Sequence, residues 1–158
     1  MNPLAPARTF VAALALGAGL AACGVTGPVP LAWGADGCRH CHMTLADRRF
    51  GAEVITTHGR ALPFDDAGCA ANHLVSGETP PTEVSSVWVI DYSRPDSLIA
   101  AAGAVFVRSE QFPTPMGSGV VAVPDSATAR QLAAANQGTV LVWTDVLALA
   151  AKGELGPR

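Results

Sequence analysis

Past Asp47 one order of elements is written twice, and that doubling limits the fold more tightly than any single motif. The run from Phe50 to Thr57 reads as a strand, Gly59 as a turn, and Ala61-Leu62-Pro63-Phe64 as a second extended segment. Asp65-Asp66 then opens a helical stretch to about Ser76. Ala67, Ala70, Ala71 and Leu74 recur at helical spacing, the acids suit the positive end of the helix dipole, and Gly77 stops the run. Val87 to Tyr92, β-branched and aromatic, predicts a third strand. The order then recurs as strands at Ala104 to Arg108 and Gly119 to Val123, a helix capped by Pro124-Asp125-Ser126 and reaching about Gln137, and a strand from Thr139 to Trp143. The reading is an α+β fold of two ββαβ units packed together, residues 38–96 and 97–158. A last short helix, Asp145 to Lys152, is expected to cover a sheet edge. The halves agree in pattern rather than in letters. What the first has and the second lacks is therefore the candidate functional addition: Cys38 to Met43, together with Cys69.

The first two dozen residues say where the chain works. One cation, Arg8, precedes an uncharged and mostly apolar run from Phe10 to Ala22, which reads as a signal peptide over residues 1–22. The run is shorter than the roughly 20 residues a membrane span needs. Leu20-Ala21-Ala22-Cys23 has the form of a bacterial lipobox, which makes Cys23 the lipidated first residue of the mature protein. Acyl chains there add about 0.8 kcal/mol of membrane affinity per buried CH₂, so the expectation is an extracytoplasmic domain tethered to a membrane. Gly24 at the next position favours the outer membrane, facing the periplasm. Residues 23–37, with Pro28, Pro30 and several glycines, read as the lipidated Cys and a flexible tether. The remaining mature chain carries nine basic against 13 acidic side chains, which offers nothing to nucleic acid.

If Cys23 is acylated, Cys38, Cys41 and Cys69 remain, and three thiols cannot all pair within one chain. In a compartment where disulfides form readily, a retained thiol needs a reason, and metal ligation supplies one. Cys38-Arg39-His40-Cys41-His42-Met43 sets two thiols, two imidazoles and a thioether in six residues, the soft donor set that selects Cu(I) over harder cations. Met116, in the Pro- and Gly-rich loop from Gln111 to Gly119, is the second thioether of the mature chain and sits where a core Met would not. Other readings stay open at this point. They are a redox dithiol, although no strand-to-helix turn carries the Cys-x-x-Cys; a structural zinc site drawing on Cys69 and His73, one helical turn apart; and a disulfide from Cys38 or Cys41 to Cys69. Cys69 reads first as a buried helix residue, and His58 and His73 as surface or capping residues.

Taken together, Cys38-x-x-Cys41-x-Met43, Phe50-x-Ala52, Phe64-Asp65-Asp66-x-Gly68-Cys69 and Pro115-Met116-Gly117 resemble the NosL family, lipoprotein copper chaperones of nitrous oxide reductase maturation. The resemblance runs over nearly the whole mature chain and includes the lipobox. It implies an organomercurial lyase-like arrangement of the ββαβ units and delivery of Cu(I) to the copper-sulfur centre of nitrous oxide reductase. The implied partner in delivery is a membrane-bound ABC-type maturation transporter. It also implies Cys41, Met43 and Met116 as leading copper ligands, with Cys38 beside them; ligation by His40 and His42 follows only from their proximity. The expected role is a carrier, not an enzyme. The enzymatic alternative is a lyase that cleaves carbon–mercury bonds with Cys41, Cys69 and Asp66.

Overall fold

The computed structural model describes residues 27–156, so the signal peptide and Cys23 lie outside it. The first unit consists of strands β1 (Ala52–Thr56) and β2 (Ala61–Phe64), helix α1 (Ala67–Ser76), a 3-10 turn at Pro81–Glu83, and β3 (Val84–Ile90). A short strand β4 (Leu98–Ala100), absent from the sequence reading, adds to its edge. The second unit is β5 (Val105–Arg108), β6 (Val120–Val123), α2 (Ser126–Ala135) and β7 (Thr139–Leu141), followed by α3 (Trp143–Lys152). The first sheet runs β2-β1-β3-β4 and the second β6-β5-β7, all neighbours antiparallel. In each unit the first strand is thus central, and the helix carries the chain to its far side. The doubled pattern is a doubled topology.

Side chains along β5 and β6 point alternately to two covered faces, and β6 is buried throughout. Phe106, Val120 and Ala122 point into the main core with Phe64, Val54 and Leu45 of the first unit. Val107, Val121 and Val123 point the other way, against Ala129 and Ala133 of α2 and against Phe50. The second sheet is consequently a middle layer. A parallel bridge between Asp91 and Ala122 joins the two sheets, and the Tyr92 N–H donates to the Ala122 carbonyl at 2.8 Å.

Two expectations need correction. Trp143, read as the end of a strand, begins α3, because the Asp145 carboxylate accepts the Val142 N–H at 3.0 Å and starts the helix there. That helix packs on α1 and sets Trp143 5.4 Å from the Phe106 ring. The described part of the tether is also not free. The Val29 N–H donates to Glu53 at 2.8 Å, Leu31 is buried, and Trp33 packs on the main core.

Candidate metal centre

The Cys-x-x-Cys segment is a closed loop, not a helix start. An antiparallel bridge pairs Gly37 with Thr44, the Cys38 N–H donates to the Met43 carbonyl at 2.8 Å, and the His42 N–H to the Cys38 carbonyl at 3.0 Å. His42 makes the reversal with a left-handed φ of 63°. The Arg39 N–H donates to the Pro63 carbonyl at 2.9 Å and so pins the loop to the end of β2, where the chain turns into α1. Cys69 lies in the first turn of that helix. The three Sγ atoms consequently converge, all within 4.8 Å of one another and all free thiols. Cys38 and Cys69 are each 1% exposed, while Cys41 is half-buried and forms the open side.

Proton affinities in the trio are split. The Cys69 thiol donates to Cys38, and the backbone amides of Cys41, Asp65 and His40 add to it, so Cys38 is held well below the ordinary thiol range despite its burial. Cys69 is pushed up because it is the donor and is buried; Cys41 is pushed up chiefly by desolvation. The surroundings thus favour ionisation at Cys38 ahead of Cys41 and Cys69. Asp65, fully buried beside Cys38, is raised to about 6 by desolvation and by the Cys38 charge, and its Oδ1 has no partner among the described residues.

The Met116 loop from the second unit reaches the same corner. Asp66, the N-cap of α1, accepts the Cys69 N–H on Oδ1 at 2.7 Å. Its Oδ2 accepts the Ser118 hydroxyl at 3.0 Å and the Met116 N–H at 3.4 Å. Met116 is half-buried against the main core, the core to which the three cysteines belong.

A family model described as NosL matches residues 29–150. The chain belongs to the NosL family. No curated protein matches it. Among solved structures it is similar to the crystal structure of the copper chaperone NosL from Shewanella denitrificans, at 19% identity and a TM-score of 0.63, over 75% of this chain and 96% of that one. That likeness is one of fold and agrees with the α+β architecture expected from the sequence; the organomercurial lyase likeness remains an expectation.

In this NosL-family chain the sequence-predicted residues separate. Cys38 and Cys41 lie together, and Cys69, which the sequence reads first as a buried helix residue, is both buried and the third member of the trio. Two signals pointed to it: the odd thiol count, and its place three residues after the acidic helix cap. Met43 rides on the same loop but is 54% exposed, facing solvent. His42 is exposed, and the His40 Nδ1 lies 4.0 Å from Glu78. His73 is not a surface residue. It is 2% exposed, tilted against the Phe64 ring at 5.0 Å, with its Nε2 engaged by the Thr79 hydroxyl at 2.8 Å, and it is not among the ligand atoms that converge with Cys69. Asp66 has both oxygens engaged, so it is no free acid for a lyase.

Proposed function

We propose that this protein is a membrane-anchored Cu(I) metallochaperone, and that the carrying observation is three free thiols within 4.8 Å with one open side. Thiolate sulfur selects Cu(I), which accepts two or three soft donors and exchanges them through a shared intermediate. Cys38 is the thiol whose surroundings most favour ionisation, and loading drives protons from Cys41 and Cys69. Cys38, Cys41 and Cys69 form the inner donors. Met116 supplies a thioether from the second unit, and the exposed Met43 is placed for hand-over at the mouth. The relative from Shewanella denitrificans is a copper chaperone, which supports the reading. The recipient in this reading is nitrous oxide reductase during assembly of its copper-sulfur centre, reached with the ABC-type maturation transporter. The anchor is acylated Cys23 in the outer membrane, and no described helix is long and apolar enough to cross a membrane.

The test is a titration of the reduced mature protein with Cu(I) and with Zn(II) against competing chelators, with stoichiometry read by native mass spectrometry. One tight Cu(I) per chain that displaces zinc is expected. Tight zinc and weak copper would make the trio a structural site. A second reading rests on Asp65, a buried acid with an unpartnered oxygen beside a thiolate, the parts a carbon–mercury lyase needs. Release of hydrocarbon from an organomercurial by the metal-free protein would establish it.

A further inference from the structure

We propose that Asp66 is a positioning residue for the metal site: its carboxylate clamps the Met116 loop of the second unit onto the thiol-bearing helix of the first. This rests on the reading of Met116 as a copper ligand.

The observations converge on one carboxyl group. Its Oδ1 does the ordinary work of an N-cap, at 2.7 Å from the Cys69 N–H. Its Oδ2 turns outward and receives the Ser118 hydroxyl at 3.0 Å and the Met116 N–H at 3.4 Å, across 52 and 50 residues of sequence. Asp125, the N-cap of α2, is the matching residue of the repeat. It spends its carboxylate within its own first turn, on Ala127 and Thr128. The long-range use of the cap is therefore an addition made only where the thiols are.

Everything around Asp66 is shaped to admit the loop. The Thr114 hydroxyl lies 3.2 Å from Ser118 Oγ and accepts the Gly119 N–H at 2.9 Å, which fixes the hydroxyl that Asp66 receives. A Cβ at Gly68 would collide with Ser118 Cβ, so the helix must present a glycine where the loop crosses it. On the other side a Cβ at Gly156 would collide with the Met116 carbonyl, and the Asn72 amide holds the adjoining Leu155 carbonyl at 2.9 Å. The Met loop is thus gripped between α1 and the C-terminal segment. Buried hydrogen bonds that converge on one carboxyl group are costly to leave unmade and hold the loop's root in one place. With that root fixed, the Met116 thioether is presented to the trio without first paying the entropy of ordering its loop.

Asp66→Asn separates the two roles. Asparagine caps a helix as well as aspartate does, and its carbonyl still accepts the Cys69 N–H. Its amide cannot accept from the Met116 N–H. Cu(I) affinity is measured by chelator competition for the wild type, Asp66→Asn, Met116→Ala and the double variant, with copper X-ray absorption counting sulfur neighbours. Asp66→Asn is expected to weaken Cu(I) about tenfold, the effect of leaving one buried N–H without its acceptor. It is also expected to remove one sulfur scatterer and to cost nothing further in the Met116→Ala background. Gly156→Ala, which displaces the same loop without touching the helix cap, is expected to reproduce the effect and keeps the test open if Asp66→Asn does not fold. A Met116→Ala loss with Asp66→Asn and Gly156→Ala unaffected overturns the inference alone. Equal Asp66→Asn losses in both backgrounds overturn it too, since the residue would then act on the thiols or the fold. Unchanged affinity in Met116→Ala overturns the ligand reading and the inference with it.

Discussion

Cys38 is the thiol that gives up its proton first, and the reason is local. Three backbone amides and the Cys69 thiol aim at its sulfur, while Cys69 is raised first by donating to Cys38 and then by burial, and the desolvation of Cys41 outweighs the Met43 amide that favours its thiolate. The metal-free protein should therefore show ultraviolet thiolate absorbance at about pH 6, where an ordinary thiol near pKa 8.5 is protonated. Cys38→Ala should abolish the band, and Cys41→Ala should leave it; a band that follows Cys41 would reassign the thiolate. Cys41→Ser should end tight Cu(I) binding, as read by the same chelator competition, because it removes the accessible donor of the trio. At this scale the sequence supplies the candidate donors but not which of them meet. Cys69 could be recognised as buried from the alanines around it, yet a helical pattern does not say that its first turn faces a loop some 30 residues earlier. The second role of Asp66 was hidden for the same reason, since its partners Met116 and Ser118 lie in the other half of the chain.

Helix α1 holds more of the site than its length suggests: Cys69 in its first turn, His73 one turn on, and the acidic cap ahead of both. Burial keeps the His73 imidazole below its ordinary pKa; Glu78 at 3.6 Å and the Cys38 charge oppose that, while His40 and Arg39 reinforce it. A folded pKa below the unfolded one means that the unfolded chain takes up a proton the native state declines. Stability contributed by His73 is then present above about pH 6.5 and lost as pH falls below it. Asp65, raised to about 6, acts in the opposite sense, so a plain pH curve mixes the two. Denaturant midpoints of wild type and His73→Gln, compared from about pH 7.5 to about pH 5.5, isolate the histidine. The variant should gain on the wild type as pH falls, and parallel curves would show that His73 is not held neutral. The cap of α2 makes a simpler contrast. Asp125→Ala should lower the melting temperature and leave Cu(I) affinity unchanged, since that carboxylate serves only its own helix. Element boundaries were legible where capping chemistry marks them, as at Asp66, Gly77 and Asp125. They were not legible at Leu98–Ala100, too short for a period to register, nor at Val142-Trp143, where an apolar run reads equally as strand or helix until Asp145 is seen to accept the Val142 N–H.

The two units share a topology, yet they do not own separate cores. Phe106, Val120 and Ala122 of the second sheet, Val146 and Ala150 of α3, and Leu155 pack in one cluster with Phe64, Val54, Leu45 and all three cysteines' neighbourhood in the first unit. Phe50 and Tyr92, from the first half, join the cluster under α2. The repeat is legible in the sequence pattern because each unit must satisfy the same strand and helix periods. The pattern could not show the shared core, because an inward-facing valine reads alike whether it meets its own unit or the next. The contacts of the Met116 loop with Asp66 of α1 cross between the halves and add to that shared core. Unfolding should accordingly be one transition. Single-tryptophan variants that keep either Trp33 in the first half or Trp143 in the second should report the same denaturant midpoint by fluorescence. Phe106→Ala, which empties a fully buried site in the second sheet, should cost about 3–5 kcal/mol and move both reporters together. If Trp33 kept its midpoint while Trp143 lost stability, the halves would be independent lobes, and the clamp at Asp66 would be the contact that holds them at the metal site rather than one contact within a single core.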